Sequence, residues 1–276
     1  MLALLPSLLL EHDGGPHTRE TVLDVGFNIG QDTTMYLEAG YNVVAIEANP
    51  GLVAWANSTE PFMSAAQHRR LALLNRAIAP HEPNAKRAAT SKSTMTFYMA
   101  MHTERSRLGV CNYPPCTAVE VETASCDALV GEYRPMYVKI DAEGADIVCL
   151  SAIFHGIASG SLQAPPRYIS VEELLTQEMY DAAGNAGYTH FKYADQRNNH
   201  GGANHGAGTG AFGEFVYDGH AKYSWHPLAS FRRLRFHGDT HMKHVSAWMN
   251  MNASNAMMQT WRKPATWPLK AEEGAR

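Results

Sequence analysis

The chain has 276 residues, a formal net charge of −4 at pH 7 and a sequence pI near 6.4. Apolar residues make up 45% of it, which is enough to form the core of one large α/β domain with extensions. The acidic balance argues against a nucleic-acid footprint and against binding to an anionic membrane surface.

Residues 1–19 read as an N-terminal extension and linker. Met1–Leu10 is apolar, but it is too short to cross a bilayer, which needs about 20 such residues. It has no basic start and no obvious small-residue cleavage site, so we expect neither a membrane span nor a signal peptide. The segment is either a packing element or the remnant of a longer N-terminus, and the sequence does not separate the two.

The stretch from residue 21 to residue 50 organises the rest of the chain. A β-forming run over Thr21–Val25 is followed by a glycine turn between Gly26 and Gly30. A helical pattern over Gln31–Ala39 and a second apolar run over Asn42–Glu47 come next. Strand, tight loop, helix and strand in this order predict half of a dinucleotide-type βαβ unit.

The polar and glycine positions of this unit predict a cofactor site. Gly26 allows a sharp turn, and Gly30 is expected to leave room for a cofactor at the helix start. Glu47 ends the second strand, where a carboxylate can accept hydrogen bonds from ribose hydroxyls. The loop lacks the G-x-G-x-x-G pattern that a pyrophosphate needs, because Asn28 holds its middle position. A cofactor with a ribose and no phosphate, such as S-adenosylmethionine, fits better, with Asp24 at its amino end.

The alternation of strands and helices continues after this unit. A continuous apolar run over Leu71–Ile78 predicts a third strand buried on both sides. Thr94–Ala100 and Ala118–Thr123 carry alternating β-formers, which predicts an antiparallel pair within an insert at about residues 80–124. The later predicted elements are a helix from Asp127, a strand over Met136–Ile140, a helix over Ala145–Ile157, a strand over Tyr168–Val171, a helix over Leu175–Ala186 and a strand over Tyr188–Tyr193.

The last part of the chain predicts the end of the domain and an extension. Residues 196–210 are polar and rich in glycine, so we expect a mobile loop. Ala211–Tyr217 predicts an antiparallel last strand at the sheet edge, and His226–Trp261 is interpreted as mainly helical. The expected fold is α/β: a mostly parallel seven-stranded sheet with helices on both faces over residues 20–220. A mainly helical extension follows over residues 221–276.

Four short motifs resemble one known family. They are DVGFNIGQDT, AIEANP, VKIDAEGAD and a late GTGAFGE, in which Ala211 replaces the family's proline. Over roughly Val22–Tyr193 the chain is similar to the FkbM family of methyltransferases that depend on S-adenosylmethionine. The resemblance implies a Rossmann-like class I methyltransferase fold and this cofactor. We assign cofactor binding to Asp24, Gly26, Asn28, Gly30, Glu47, Asn49 and Asp141.

The third motif holds the candidate catalytic residues Asp141, Glu143 and Lys139. Asp141 ends the fourth strand of the predicted core, and two carboxylates this close can split their pKa values so that one serves as a base. Alternatively, Asp141 caps the next helix and Glu143 lies in its first turn. Lys139 pairs with Glu172 or Asp141, or points to solvent. Glu172 lines the acceptor pocket or caps the helix after it.

The four cysteines form no CxxC pair. Cys111 and Cys116 bracket a Tyr-Pro-Pro turn where they could approach each other, and Cys149 sits in an apolar run. We interpret all four as free thiols in a reducing compartment, which favours a cytoplasmic location.

The histidines near the C-terminus offer a possible metal site. His237, His241 and His244 have i, i+4, i+7 spacing and would share one face of a helix. The same spacing is typical of a half-polar helix face, and Gly238 and Asp239 weaken a helix there. We therefore expect no metal.

The function that these patterns favour is methyl transfer from S-adenosylmethionine to an oxygen of a small molecule or sugar. A nicotinamide-dependent oxidoreductase is the alternative, disfavoured by the incomplete glycine pattern. A cofactor-binding domain without catalysis is a third possibility. The sequence does not identify the acceptor, although a small molecule or carbohydrate is expected.

Overall fold

The computed structural model describes residues 20–80, 93–102, 106–172, 175–194, 226–231 and 239–244. The strands are β1 (Thr21–Val25), β2 (Asn42–Glu47), β3 (Leu71–Asn75), β4 (Ala77–Ile78), β5 (Thr94–Ala100), β6 (Arg107–Leu108), β7 (Cys116–Ala124), β8 (Tyr137–Ile140), β9 (Tyr168–Val171), β10 (Tyr188–Ala194), β11 (His226–Pro227) and β12 (Asp239–His244). The helices are α1 (Gln31–Glu38), α2 (Pro50–Ala56), α3 (Phe62–Gln67), α4 (Cys126–Tyr133), α5 (Asp146–Ala158), α6 (Gln177–Asn185) and α7 (Leu228–Phe231).

The main sheet has the strand order β11-β10-β12-β9-β8-β1-β2-β3. Neighbours from β9 to β3 pair in parallel, and β12 pairs antiparallel with both β9 and β10. This is an α/β fold with a mostly parallel sheet. Within the described residues this sheet has eight strands, including the two-residue strand β11 at the edge beside β10. The predicted seventh strand lies outside them, so the count of seven stays a prediction.

The antiparallel strand β12 corrects the interpretation of the C-terminal segment. Residues 239–244 were expected to be helical, yet they form a strand inside the sheet, with Met242 beside Ile169 on one neighbour and Phe191 on the other. Met242 is fully buried, and it is the one large apolar residue in a polar run, so no periodicity marks the strand. The edge strand predicted at Ala211–Tyr217 and the mobile loop at 196–210 lie outside the described residues.

A second, inserted sheet has the order β4-β7-β5-β6. Its antiparallel pair β5–β7 runs from Thr94 opposite Glu122 to Ala100 opposite Cys116, which confirms the predicted insert pair. The predicted single strand over Leu71–Ile78 is divided at Arg76, after which β4 leaves the main sheet to pair with β7. Most of β3 is only half-buried, so the expectation of burial on both sides is wrong there.

The core forms one apolar cluster on each face of the main sheet. Successive residues of β1 alternate between them: Val22 belongs to the cluster that includes residues of α1, α2 and α3, whereas Leu23 belongs to the cluster that includes residues of α4, α5, α6 and α7. Strand geometry gives this alternation, because neighbouring side chains point to opposite faces. Asp24 therefore lies on the same face as Val22, towards α1.

The cysteines are paired, contrary to the expectation of free thiols. Cys126 and Cys149 form a disulfide that joins α4 to α5 in the core, and Cys111 and Cys116 form another in the insert. The expected cytoplasmic location rested on free thiols and loses that support, because disulfides persist mainly in oxidising compartments. Among the described residues, no helix combines the length and the apolar character that crossing a membrane requires.

Candidate functional site

A cavity of about 440 Å³ opens where the carboxyl ends of β1, β2 and β8 meet the inserted sheet. This volume falls in the range of small-ligand sites, about 300–1,000 Å³. The chain runs outward in opposite directions from β1 and β8, so the cavity lies at the topological switch point of the sheet. Its charged lining is Asp32, Glu47, Asp141, Glu143, Glu172, Arg76, Arg107 and Lys139. The acids outnumber the bases, so the cavity suits a ligand that carries positive charge.

The turn after β1 packs directly on the end of β8. Gly26 has a φ of 97°, and a Cβ built there would lie 1.7 Å from the backbone oxygen of Asp141. The N–H groups of Gly26 and Phe27 both donate to the carbonyl of Ile46 on β2, at 3.1 and 3.0 Å. Gly26 is therefore required by the close approach of two backbones, and it also lines the cavity.

Gly30 was expected to leave room for a cofactor at the helix start, but a different contact requires glycine at this position. A Cβ at Gly30 would meet the rings of Phe62 and Phe27 at 2.4 and 2.6 Å, and the residue is not part of the cavity wall. The two rings pack edge to face with centroids 5.0 Å apart. Glycine is needed at this position, where φ is 74°, to admit aromatic packing under the loop rather than a cofactor.

Glu47 organises the loop at the end of β2. Its two carboxylate oxygens accept hydrogen bonds from the backbone N–H of Asn28, at 2.8 Å, and of Asn49, at 2.7 Å. A carboxylate has about four acceptor positions, so each oxygen can accept a further hydrogen bond from the cavity. Glu47 and Asn28 line the cavity. Asn49 does not, and its side chain caps α2 by accepting from the N–H of Gly51.

Lys139 is buried at the centre of an ionic group that we term the Lys139 cluster: Asp24, Asp32, Lys139 and Asp141. The Lys139 Nζ lies 2.9 Å from Asp32, 3.1 Å from Asp141 and 3.6 Å from Asp24. The lysine is 5% exposed, so the pairing with Asp141 that the sequence offered as one option is correct and the option of pointing to solvent is wrong. A buried ammonium is tolerated here because acids surround it.

The Lys139 cluster changes the acidity of its members in opposite directions. Burial lowers the pKa of Lys139, but its acidic neighbours outweigh this and hold the pKa well above its ordinary value. Burial raises the pKa of Asp24 to about 6, against the effect of Lys139. Burial also raises the pKa of Asp141, yet Lys139 and a hydrogen bond with Glu172 together hold it below its ordinary value. At neutral pH, Lys139 is a fixed cation and Asp141 is ionised, so Lys139 is not a proton acceptor.

The turn after β8 excludes the capping alternative for Asp141. The N–H groups of Ala142 and Gly144 donate to the carboxylate of Asp146, at 2.9 and 3.2 Å. Helix α5 begins at Asp146, with Ala145 at its N-cap, so neither Asp141 nor Glu143 is part of the helix. Glu143 has a φ of 36° and is exposed in the turn.

Asp141, Glu143 and Glu172 form a group that we term the carboxylate trio. Ligand oxygens from the three residues all lie within 4.8 Å of one another, which is a spacing that a metal ion can bridge. Glu172 follows β9 and lines the cavity, whereas α6 has Thr176 at its N-cap, so the capping alternative for Glu172 is also wrong. The histidine set proposed from the sequence does not form a helix face, since His241 and His244 are in β12 and His237 lies outside the described residues.

The structure brings most of the predicted site residues to one place. Gly26, Asn28, Glu47, Lys139, Asp141 and Glu143 line the cavity, and Asp24 lies beneath it in the Lys139 cluster. Sequence reasoning missed Asp32 and Arg107. The signal for Asp32 was Lys139 itself, because a lysine inside an apolar strand requires acidic partners. Arg107 comes from the insert, where nothing in the sequence marks it.

The fold and the site define a Rossmann-like α/β protein with a ligand cavity at the switch point of its sheet. The family model described as the methyltransferase FkbM domain matches residues 24–201, which is more than half of the chain. The chain therefore belongs to the FkbM methyltransferase family, as its motifs predicted. Searches of the curated proteins and of the solved structures found no match.

Proposed function

We propose that the protein is a methyltransferase that uses S-adenosylmethionine and methylates an oxygen of a small molecule or a sugar hydroxyl. The observation that carries this proposal is the Lys139 cluster, which lies under an acidic cavity beside the ribose-type anchor Glu47. Family membership supports methyl transfer as the reaction. The cofactor and the oxygen acceptor rest on the chemistry of the cavity.

The charges of the cavity fit this cofactor. When bound, S-adenosylmethionine supplies an electrophilic methyl group on a positively charged sulfur. The Oδ1 atom of Asp24 is buried and has no hydrogen-bond partner, since Lys139 is 3.6 Å away and beyond hydrogen-bond distance. Three carboxylates share the single ammonium of Lys139, so the group retains negative charge that favours a cationic ligand.

Glu47 is proposed to bind the ribose. Its oxygens are held by the loop amides of Asn28 and Asn49, so their positions are fixed before a ligand arrives. Vicinal hydroxyls can donate to the remaining acceptor positions of such a carboxylate. The glycine turn is packed against Asp141 and has no third glycine at its helix start, which disfavours a pyrophosphate and therefore a nicotinamide cofactor.

Asp141 is proposed to orient the acceptor. It lines the cavity, it is kept ionised by Lys139, and its side chain is partly open to the cavity. An ionised carboxylate can accept the hydrogen of an acceptor hydroxyl and direct the oxygen lone pair. Alignment of this kind is the larger contribution to displacement reactions, and a positioned base adds about 10²- to 10⁴-fold.

The test is a calorimetric titration of the purified protein with S-adenosylmethionine, S-adenosylhomocysteine and NAD⁺. We expect one site for each of the two sulfur compounds and no binding of NAD⁺. Binding of NAD⁺ in preference to S-adenosylhomocysteine would favour the oxidoreductase alternative. Binding of S-adenosylhomocysteine without formation of methylated product across a panel of hydroxylated acceptors would favour a domain without catalysis.

A further inference from the structure

Arg107 lines the cavity, and it belongs to the inserted sheet rather than to the main sheet. It lies on β6, opposite Tyr98 on β5, and the neighbouring Ser106 accepts a hydrogen bond from the N–H of Ala100 at 3.0 Å. Ser106 is buried and fixes the base of the short strand. The position of Arg107 is therefore set by the insert.

The Arg107 guanidinium lies over the turn that follows β8. A Cβ built at Gly144 would be 3.3 Å from its Nη1 atom and 3.6 Å from its Cζ atom. Gly144 follows directly after Glu143 and close to Asp141, at the end of the cavity away from Glu47 and β2. This is the half of the cavity that the cofactor proposal leaves for the acceptor.

The Arg107 side chain has a hydrogen-bond donor that no group in the described structure satisfies. Its Nε atom is buried and has no hydrogen-bond partner, and a buried unpaired donor is unfavourable. The other two cations of the cavity wall are placed differently. Lys139 is surrounded by the three acids of its cluster, and Arg76 follows β3, where its backbone N–H donates to the carbonyl of Glu47 at 3.0 Å.

The carboxylate trio complements Arg107 within the same half of the cavity. Carboxylates accept hydrogen bonds from hydroxyls, whereas a guanidinium pairs with carboxylate or phosphate through two parallel hydrogen bonds. The carboxylates of the trio would repel an anionic group of the ligand, so any such group would bind on the side of Arg107. A molecule with several hydroxyls and one acidic group can therefore pair its hydroxyls with the trio and its acidic group with Arg107.

We propose that the methyl acceptor is a hydroxylated acid of the uronic-acid or sugar-phosphate type, whose anionic group binds Arg107 while its hydroxyls face the carboxylate trio. This inference rests on the proposed function, because it assigns the acceptor half of the same cavity. Arg107 is a specificity-determining residue in this arrangement. It selects acceptors by charge, and the trio positions the hydroxyl that receives the methyl group.

The test is calorimetric titration of protein saturated with S-adenosylhomocysteine. The probes are D-glucuronate, glucose 1-phosphate and, as the neutral match, glucose. We expect at least one anionic probe to bind about tenfold or more tightly than glucose, the size of a charge-assisted bidentate contact. Which of the two binds identifies carboxylate or phosphate as the group recognised.

The variants are Arg107→Gln and, as a matched control on the cofactor side of the wall, Arg76→Gln. Arg107→Gln is expected to abolish the preference for the anionic probe and to leave the affinity for S-adenosylhomocysteine unchanged, whereas Arg76→Gln keeps the preference. If Arg107→Gln does not fold, Arg107→Lys keeps the charge and loses the bidentate geometry, and a reduced preference is expected.

Three outcomes would overturn the inference. The first is that wild-type protein binds glucose as tightly as both anionic probes, or binds none of them. The second is that Arg107→Gln weakens S-adenosylhomocysteine itself, which would make Arg107 an anchor for the cofactor's carboxylate. The third is that wild-type protein binds no S-adenosylhomocysteine, which would contradict the proposed function on which the inference rests.

Discussion

Replacement of Lys139 by methionine removes the only cation of the Lys139 cluster and keeps the shape of the side chain. It leaves Asp24, Asp32 and Asp141 close together without the ammonium that lies 2.9 to 3.6 Å from each. Breaking a buried ion pair by removing one partner costs about 3–5 kcal/mol. For a domain of this size, about 2–4 °C of melting temperature correspond to 1 kcal/mol, so we expect a decrease of about 6–20 °C.

The dependence of this loss on pH follows from the pKa values. In wild type, the pKa of Lys139 is higher in the folded than in the unfolded state. Its contribution to stability is therefore fully present below the pKa of the unfolded state, and it is lost only as pH rises through the pKa of the folded state. In Lys139→Met, the pKa values of the remaining acids rise, because burial then acts on Asp24 without an opposing cation. The folded variant then binds protons that the unfolded chain has released, so its stability falls as pH rises. The stability lost relative to wild type should therefore be larger at pH 8 than at pH 5.

The assay is thermal unfolding followed by circular dichroism at pH 5 and pH 8. Arg134→Met, at an exposed position after α4, is the control and is expected to change stability by no more than about 0.5 kcal/mol. The double variant Lys139→Met with Asp32→Asn should recover part of the loss, because one buried charge is gone. A melting temperature at pH 8 equal to that of wild type would refute the buried cluster, and an equal loss at both pH values would refute its electrostatic origin.

Two further predictions concern Gly30 and Asp141. Gly30→Ala should destabilise the fold by about 1–3 kcal/mol more than the control Gly40→Ala, as measured by chemical unfolding. Both glycines have positive φ, but only Gly30 faces aromatic rings. Equal losses of stability in the two variants would contradict the packing role of Gly30. Asp141→Asn should keep the fold and the affinity for S-adenosylhomocysteine within about tenfold, yet lower turnover on an identified acceptor about 10²-fold or more; normal turnover would remove Asp141 from the reacting centre.

The sequence predicted the parts of the site that follow from strand ends. Glu47 and Asp141 close the parallel strands β2 and β8, and parallel strands bring their carboxyl ends to one edge of the sheet. Position along the chain was sufficient for these two residues. The sequence left Lys139 open between an acidic partner and solvent, and only the structure shows that β1 places Asp24 beside it in register.

Contacts that depend on distant packing were not predictable from the sequence. The glycine at position 30 was assigned to a cofactor, but Phe62 from α3 fills the space in front of it. The strand β12 was interpreted as helix, because an interior strand with Met242 as its one large apolar residue gives no period. Arg107 reaches the cavity only after the insert folds into its own sheet, and local sequence does not determine where that sheet docks.

The ribose anchor tests the account most directly. We expect calorimetry to show one S-adenosylhomocysteine site on wild-type protein, and Glu47→Ala to weaken it by about 1.5–3 kcal/mol, the range for a lost hydrogen bond to a charged group. Glu47→Gln keeps the shape and one acceptor oxygen, so it can retain the loop contact to Asn28 or to Asn49 but not both, and it should give an intermediate affinity. A folded Glu47→Ala protein that binds S-adenosylhomocysteine as tightly as wild type would contradict the assignment of this cavity.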